Sequence, residues 1–237
     1  METTMDTTPY QEFAKEKLGF EFNDISLLVT ALTHRSYVNE HKEHKIEHNE
    51  RLEFLGDAVL EVVSSDFLYR NYNEPEGIMT SWRAALVRTE SIGAAGEKLG
   101  YEPLVRLSKG EKQGSERAHA IILADCSEAV IGAIYLDQGY HTAKAFIEKH
   151  ILTKIDQILA DGSWRDPKSY FQELAQKHDG VTPMYRTIKE EGPDHDKTFT
   201  VGAYVGATLK GTGTGHSKQE AQTEAAKDGI AKYLKKA

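Results

Sequence analysis

The chain has a single cysteine, Cys126, in 237 residues. That excludes an internal disulfide and suits a reducing cytoplasm, the expected location, with Cys126 as a small core residue. Long hydrophobic runs are missing too. The longest, Ala129 to Leu136, falls far short of the roughly 20 residues needed to cross a bilayer, so no membrane partner is expected. The first residues, Met-Glu-Thr-Thr-Met-Asp-Thr-Thr-Pro, lack a basic start and an apolar stretch and read as a frayed polar end, not a secretion signal. No serine or cysteine sits in a recognisable nucleophile setting. A positive excess is absent as well: 29 Lys and Arg against 37 Asp and Glu leave a net charge of −8, the wrong sign for a nucleic-acid footprint spread over the whole chain.

The deficit is uneven along the chain. From Ser163 onward 12 Lys and Arg stand against 10 Asp and Glu, a net of +2, so the first 162 residues carry −10. An acidic part and a mildly basic part suit separate tasks, and the length provides for one or two domains with ample core. At 28% charged and 39% hydrophobic the composition is that of a folded protein. Helical periodicity runs through the acidic part: Tyr10–Leu18, Ile25–Thr33, a long helix opening near Glu50 and stopped by Asn73-Glu74-Pro75-Glu76-Gly77, then Ile78–Leu86, Thr89–Leu99, Ile121–Leu136 and Thr142–Leu159. No alternating strand pattern precedes residue 160, and His41 to His48 reads as an exposed loop. Asp161-Gly162-Ser163-Trp164 is the natural linker. Beyond it the order is α-β-β-β-α. A helix spans Lys168–His178, strands fall at Met184–Ile188, at Phe199–Val201 with Tyr204-Val205 and at Ala207–Leu209, and an Ala-rich helix closes over Ser217–Leu234 behind a glycine-rich loop.

On the long helix Leu52, Leu55, Val59, Val62 and Val63 form an apolar stripe, while Glu50, Glu53 and Asp57, three and four apart, collect on the other side. Alone, such a row is a solvated face. The stretch from Ala118 to Leu136, however, is apolar on nearly every side and therefore interior, yet it carries Asp125 and Glu128 three residues apart on one side. Buried acids need a cation, a metal or a hydrogen-bond network, and the nearby sequence offers few Lys or Arg. If the two helices face each other, four carboxylates meet, and one pair about 4 Å apart costs about 4 kcal/mol at an effective dielectric near 20. A hard divalent cation with oxygen ligands relieves that, and Mg²⁺ matches the donors. A metal so held activates water and neutralises a phosphodiester under in-line attack. Read this way the residues give a metal-dependent phosphodiester hydrolase; a structural acid cluster shared by two helices stays open.

Asn49-Glu50-Arg51-Leu52-Glu53-Phe54-Leu55-Gly56-Asp57 resembles the signature of the bacterial ribonuclease III family. Ala31-Leu32-Thr33-His34-Arg35-Ser36-Tyr37 before it, and Ala124-Asp125-Cys126-Ser127-Glu128-Ala129 after it, follow in that family's order. The later part resembles the double-stranded RNA-binding domain through Asp166-Pro167-Lys168-Ser169 with Gln172-Glu173, then Gly192-Pro193 with His195, then Gly213, Gly215, Ser217-Lys218 and Ala221. The resemblance implies a multidomain chain: an all-α N-terminal endonuclease domain over residues 9–139 and a small α+β (α-β-β-β-α) RNA-binding domain over 165–235. It implies hydrolysis of both strands of duplex RNA to 5′-phosphate products with short 3′ overhangs, in the processing of precursor ribosomal RNA and structured messages.

The same resemblance assigns Glu53, Asp57, Asp125 and Glu128 to Mg²⁺, with Mn²⁺ as a substitute. Within that set Glu128 is the direct ligand and Asp57 orients or activates water. Glu50 and Glu76 are secondary acids near the site and the dimer edge. Phe54 corresponds to an aromatic that enters the partner subunit of a homodimer. Ser169, Gln172 and Glu173 would face one minor groove, His195 the other, and Ser217 and Lys218 a phosphate. Domains of this type read A-form shape across two minor grooves. The capping box Ser217-Lys218-Gln219-Glu220 supports the phosphate assignment independently, because it fixes a helix N-terminus with exposed N–H groups. One departure stands out: Gln219 occupies a position where the family carries a second basic residue, which implies weaker and more salt-tolerant binding.

Four other readings compete. His44-Lys45-Ile46-Glu47-His48 fits a zinc-protease pattern but lies in a polar run without a third ligand. Gly211, Gly213 and Gly215 lack the βαβ setting of a dinucleotide fingerprint. A duplex-RNA binder that does not cut has no use for four intact acids, and a phosphohydrolase of small nucleotides has no use for the C-terminal domain.

Overall fold

Two long helices set the frame of the first part of the chain. They belong to a computed structural model that describes residues 6–42, 46–193 and 197–234 and divides into two compact units, residues 1–161 and 162–237. The zinc-pattern residues His44 and Lys45, and His195, lie outside the described residues.

The first unit is helical. It comprises α1 (Thr8–Phe13, continued by a π-turn over Ala14–Leu18), α2 (Ile25–Ala31), α3 (Arg35–Glu40), α4 (Glu50–Asn71), α5 (Glu76–Val87), α6 (Thr89–Leu99), α7 (Glu116–Gln138), α8 (Tyr140–His150) and α9 (Ile155–Asp161). Among the described residues its extended pairing is a lone bridge between Thr33 and Arg106. α7 is apolar because it is central: it packs on α4, α6, α8 and α2, and Ala129 through Ala133 are buried without interruption. By length and composition α7 could also cross a membrane, but 56% of its most apolar window is buried inside the unit, as befits a core helix. Its N-terminus is capped by the Ser115 hydroxyl, which accepts from Ala118 N–H.

Three readings of this unit need correction. Val62 is 58% exposed and Leu60 is fully buried instead, because α4 presents Leu52, Val59, Leu60, Val63 and Leu68 inward. The single helix expected over 142–159 is broken at Ile151 into α8, a 3₁₀ turn over Leu152–Lys154 and α9. The break lets Ile151, Leu152, Ile155 and Ile158 all reach the core. The short helix α3 went unforeseen; the His34 ring starts it by accepting from Ser36 N–H.

The second unit runs α10 (Pro167–Asp179), β1 (Met184–Glu191), β2 (Thr198–Val205), β3 (Thr208–Gly215), α11 (Lys218–Leu234). The three strands form an antiparallel sheet in the order β1-β2-β3. Val201, Ala203 and Val205 alternate inward and meet Phe171, Leu174, Ala221, Ala225 and Tyr233. The expected glycine-rich loop is in fact strand β3, and Ala207 lies in the turn before it, beside Gly206 at φ 60°. The physical reason is the closeness of α11. A Cβ on Gly211 would sit 2.6 Å from Gly229 N, and one on Gly213 2.5 Å from the Ala221 carbonyl oxygen. An Ala-rich helix lies directly on a strand that turns only glycines toward it.

Candidate active site and RNA-binding surface

The acids are brought together by a contact that leaves no room for side chains. α4 and α7 make the most extensive contact of the first unit. Where they cross, Gly56 lies against the backbone of Glu128 and Gly132 against that of Leu52; a Cβ on Gly56 would be 2.6 Å from the Glu128 carbonyl carbon and 2.9 Å from Gly132 N. Asp57 follows Gly56 directly, and Glu53 is one turn earlier. The crossing therefore sets both beside Glu128, with Asp125 one turn further back on α7.

Electrostatics report the same convergence. Burial raises the Glu128 carboxyl to about 7, with Asp57, Glu53 and Asp125 adding to the rise. Burial also raises Glu53, helped by Asp125, Glu50 and Asp57. Asp125 is raised by burial and by Glu50 against an opposing pull from His34, and Asp57 by burial and Glu61. Among the described residues no Lys or Arg acts on any of the four. Such a set titrates as a unit.

The arrangement is less enclosed than a fully interior pair would be: Asp125, Glu128 and Glu53 are half-buried and Asp57 is exposed. Among the described residues no three acid, histidine or cysteine side chains converge closely enough to ligate an ion as they stand. Carboxylates of like charge repel, and a cation would draw them in. The donor set, oxygen only and without a Lys or Arg partner among the described residues, fits a hard divalent metal. The backbones that carry it are already fixed by the two glycines.

The other acids divide. Glu50 belongs to the cluster's edge: it acts on Glu53 and Asp125 and is held by Arg35 at 3.2 Å. Glu76 does not join it. Its carboxylate accepts from the Thr80 hydroxyl at 2.9 Å and lines a separate cavity of about 490 Å³ with Ser65, Asp66, Tyr69 and Arg83. Phe54 is 80% exposed, on a face of α4 shared with Val62 and Tyr69. One residue missed from sequence is His34, the group that opposes the rise of Asp125; its Nδ1 lies 2.8 Å from the Ser36 hydroxyl. Asn49 was missed as well. It is buried, donates from its backbone N–H to the Thr33 carbonyl at 2.9 Å and from its side chain to Cys126 Sγ at 3.7 Å. Both belong to motifs visible in the sequence, but no spacing rule announces contacts between distant segments.

In the second unit Gln172 and Glu173 stand exposed on α10. Ser169 is exposed too, its hydroxyl donating to the helix-capping Asp166 at 2.8 Å. Ser217 caps α11 by accepting from Glu220 N–H at 3.1 Å, while the Glu220 carboxylate accepts from His216 N–H at 2.8 Å, one residue before the position a capping box uses. Lys218 is not free: its Nζ lies 2.8 Å from the Glu190 carboxylate and over the Phe199 ring.

A helical unit whose acids crowd one crossing, followed by an α-β-β-β-α unit with a capped, lysine-bearing helix start, defines a nuclease coupled to a duplex-RNA-binding module. Comparison with known proteins agrees. The Ribonuclease-III-like family matches residues 24–155 and the double-stranded RNA binding motif residues 167–233. Ribonuclease 3 of Enterococcus faecalis is 46% identical over 90% of this chain and 92% of its own length. That of Oceanobacillus iheyensis is 43% identical over 95% and 97%. Among solved structures, the nuclease domain of ribonuclease III from Campylobacter jejuni superposes with a TM-score of 0.54 at 37% identity, covering 59% of this chain and 94% of its own. The chain belongs to the ribonuclease III family, and its activity is that of a double-stranded-RNA endoribonuclease.

Proposed function

We propose that the chain hydrolyses both strands of duplex RNA in a Mg²⁺-dependent reaction, with Mn²⁺ as a substitute, leaving 5′-phosphates and short 3′ overhangs. Its substrates are precursor ribosomal RNA and structured messages in the cytoplasm. Glu53, Asp57, Asp125 and Glu128 would hold the ion, which when bound supplies Lewis acidity and an activated water. The chain's own contribution is position: α4 and α7, locked at Gly56 and Gly132, keep the four acids on one side of a rigid crossing. Glu128, whose carboxyl is pushed up to about 7 by burial and by the other three acids, carries the reading, since its carboxylate is costly to ionise there until a cation compensates it. Ser169, Gln172, Glu173, His195, Ser217 and Lys218 hold the duplex.

The acting form is a homodimer in which each site cuts one strand. Support comes from the start of α4. Phe54 projects into solvent, and a cavity of about 650 Å³ lined by Ile46, Arg51, Leu52, Leu55 and Leu136 opens within one turn of it. Knob and hole on the same helix turn are self-complementary under a twofold axis.

The test is cleavage of end-labelled duplex RNA with Mg²⁺, with EDTA, and by Glu128→Gln with Mg²⁺. Cutting is expected in the first case alone, with binding retained by the variant. Undiminished cutting by the variant removes Glu128 from the reaction, and binding without cutting in all three makes the chain a duplex-binding protein.

A further inference from the structure

Several cations on the first unit are paired with nearby carboxylates. Lys144 on α8, for example, sits 2.8 Å from Asp66 and 3.8 Å from Glu148. Five residues further along the same helix the pattern stops. Lys149 and His150 end α8, Lys154 ends the next turn, Arg88 precedes the first turn of α6, and Lys98 lies near its end. The Lys154 ammonium ties these pieces together by donating to the Ser91 carbonyl at 3.0 Å. Ser91 and Lys98 are seven residues apart, so Lys98 stands about two turns along the same face of α6. Lys149, Lys98 and Arg88 are exposed, and Lys154 and His150 half-buried.

The charges in this group act on one another. Burial lowers the Lys154 ammonium below its ordinary range, and Lys98 and Arg88 lower it further. His150 is lowered by burial, Lys149 and Lys98. Among the described residues no carboxylate enters either balance. Mutual repulsion of this kind is relieved by an anion, and several cations spread over two turns of helix suit a string of anions more than one. The patch is not the catalytic site. α6 packs on the face of α7 that carries Ser127, whose hydroxyl lies 3.4 Å from the Ile92 carbonyl; Asp125 and Glu128 point roughly 100° or more away around the helix.

We propose that Arg88, Lys98, Lys149, His150 and Lys154 form a phosphate-binding surface on the nuclease unit that takes the backbone of duplex RNA outside the segment being cut. This rests on duplex RNA being the substrate and not on the cleavage chemistry. It gives an acidic unit a second foothold on long substrates and makes affinity depend on duplex length.

The experiment is acetylation of surface lysines in the full-length protein under EDTA, read residue by residue by mass spectrometry. It compares a duplex of about 16 bp, the span of one RNA-binding domain, with one three times as long, with tripolyphosphate and with polyglutamate. The long duplex is expected to slow acetylation of Lys98, Lys149 and Lys154 several-fold, tripolyphosphate to a lesser degree and polyglutamate not at all, while both duplexes protect Lys218. Lys98→Glu with Lys149→Glu, both solvent-facing, is expected to fold normally and to flatten the log–log salt dependence of long-duplex binding by about 2, at about 0.9 per phosphate lost. Lys218 protected while Lys98 and Lys149 react at their RNA-free rates overturns the proposal, as does equal protection by polyglutamate. Failure to protect Lys218 as well overturns both this surface and the choice of duplex RNA as substrate.

Discussion

Replacing Gly56 by alanine tests whether the active site is built by the helix crossing. In an ordinary helix interior the change stabilises by about 1 kcal/mol. Here the new methyl would fall 2.6 Å from the Glu128 carbonyl carbon and 2.9 Å from Gly132 N. Carbon atoms approach favourably at about 3.5–4.0 Å, so α4 and α7 must part by on the order of 1 Å. Overpacking costs about 1–3 kcal/mol when side chains give way. Backbone meets backbone here and neither can rotate aside, so a net loss of about 3–5 kcal/mol is expected, the range reserved for severe core lesions. At about 2–4 °C per kcal/mol for a chain of this size, the melting transition followed by circular dichroism should fall by about 6–20 °C. Below that transition cleavage should drop by about 10²-fold, since a 1 Å misplacement of reacting groups costs that much. Gly77→Ala is the control, with nothing within 4 Å of the methyl it would gain, and should melt at or slightly above the parent with full activity. A Gly56→Ala protein that melts and cuts like the parent would show that the close crossing is not what holds the acids in place.

Glu128 gives a pH prediction. Its carboxyl lies near 7 folded against 4.5 in the reference state, so the folded chain holds more protons between those values and stability falls as pH rises through that window. In EDTA the melting midpoint should therefore climb as pH is lowered from 7 toward 5, and Glu128→Gln should flatten the slope; an unchanged slope in the variant assigns the effect elsewhere. Adding Mg²⁺ should release protons near neutrality, measurable by calorimetry in buffers of different ionisation enthalpy. In the RNA-binding unit, Glu190→Gln frees Lys218 from its carboxylate and should tighten duplex binding and steepen the salt dependence by up to about 1, as should Gln219→Lys; no change for Glu190→Gln would mean the pair is absent in solution. Phe54→Ala should shift sedimentation toward monomer at micromolar concentration, and a dimer as tight as the parent's would remove that side chain from the interface.

Most of the chain's helices were legible because their apolar spacing is regular, and α6 falls on the expected residues. What escaped reading was decided by neighbours. In β3 the inward positions 211, 213 and 215 are glycines, so the strand shows no hydrophobic alternation and reads as a loop until α11 is placed against it. The break at Ile151 has no proline or glycine to announce it; packing of four aliphatic side chains dictates it. On α4 a one-dimensional stripe favoured Val62, but the helix is flanked by α5, α7 and α8, and the wider contact draws in Leu60. Lys218 was legible as a phosphate contact by type and position, but its pairing with Glu190 joins segments 28 residues apart and no local rule foresees it.

The acids of the nuclease unit show why spacing alone could propose a site but not build one. Glu53 and Asp57 share a face of one helix, and Asp125 and Glu128 a face of another; each pair by itself is compatible with a solvated surface. What turns two pairs into one cluster is the separation of the helix axes, set by residues with no charge at all. Gly56 precedes Asp57, and Gly132 lies one turn beyond Glu128, so the point of closest approach and the charged positions coincide. Larger side chains at the two glycines would let each carboxylate keep its water and its ordinary acidity. At contact distance the carboxyls are pushed up instead, with burial the first cause in every case. The packing of α4 on α7 must therefore outweigh the desolvation of these acids, and their repulsion after it, until a cation arrives; apolar burial of Leu52, Val59, Leu60 and Val63, at about 1.5–3 kcal/mol each, works in that direction.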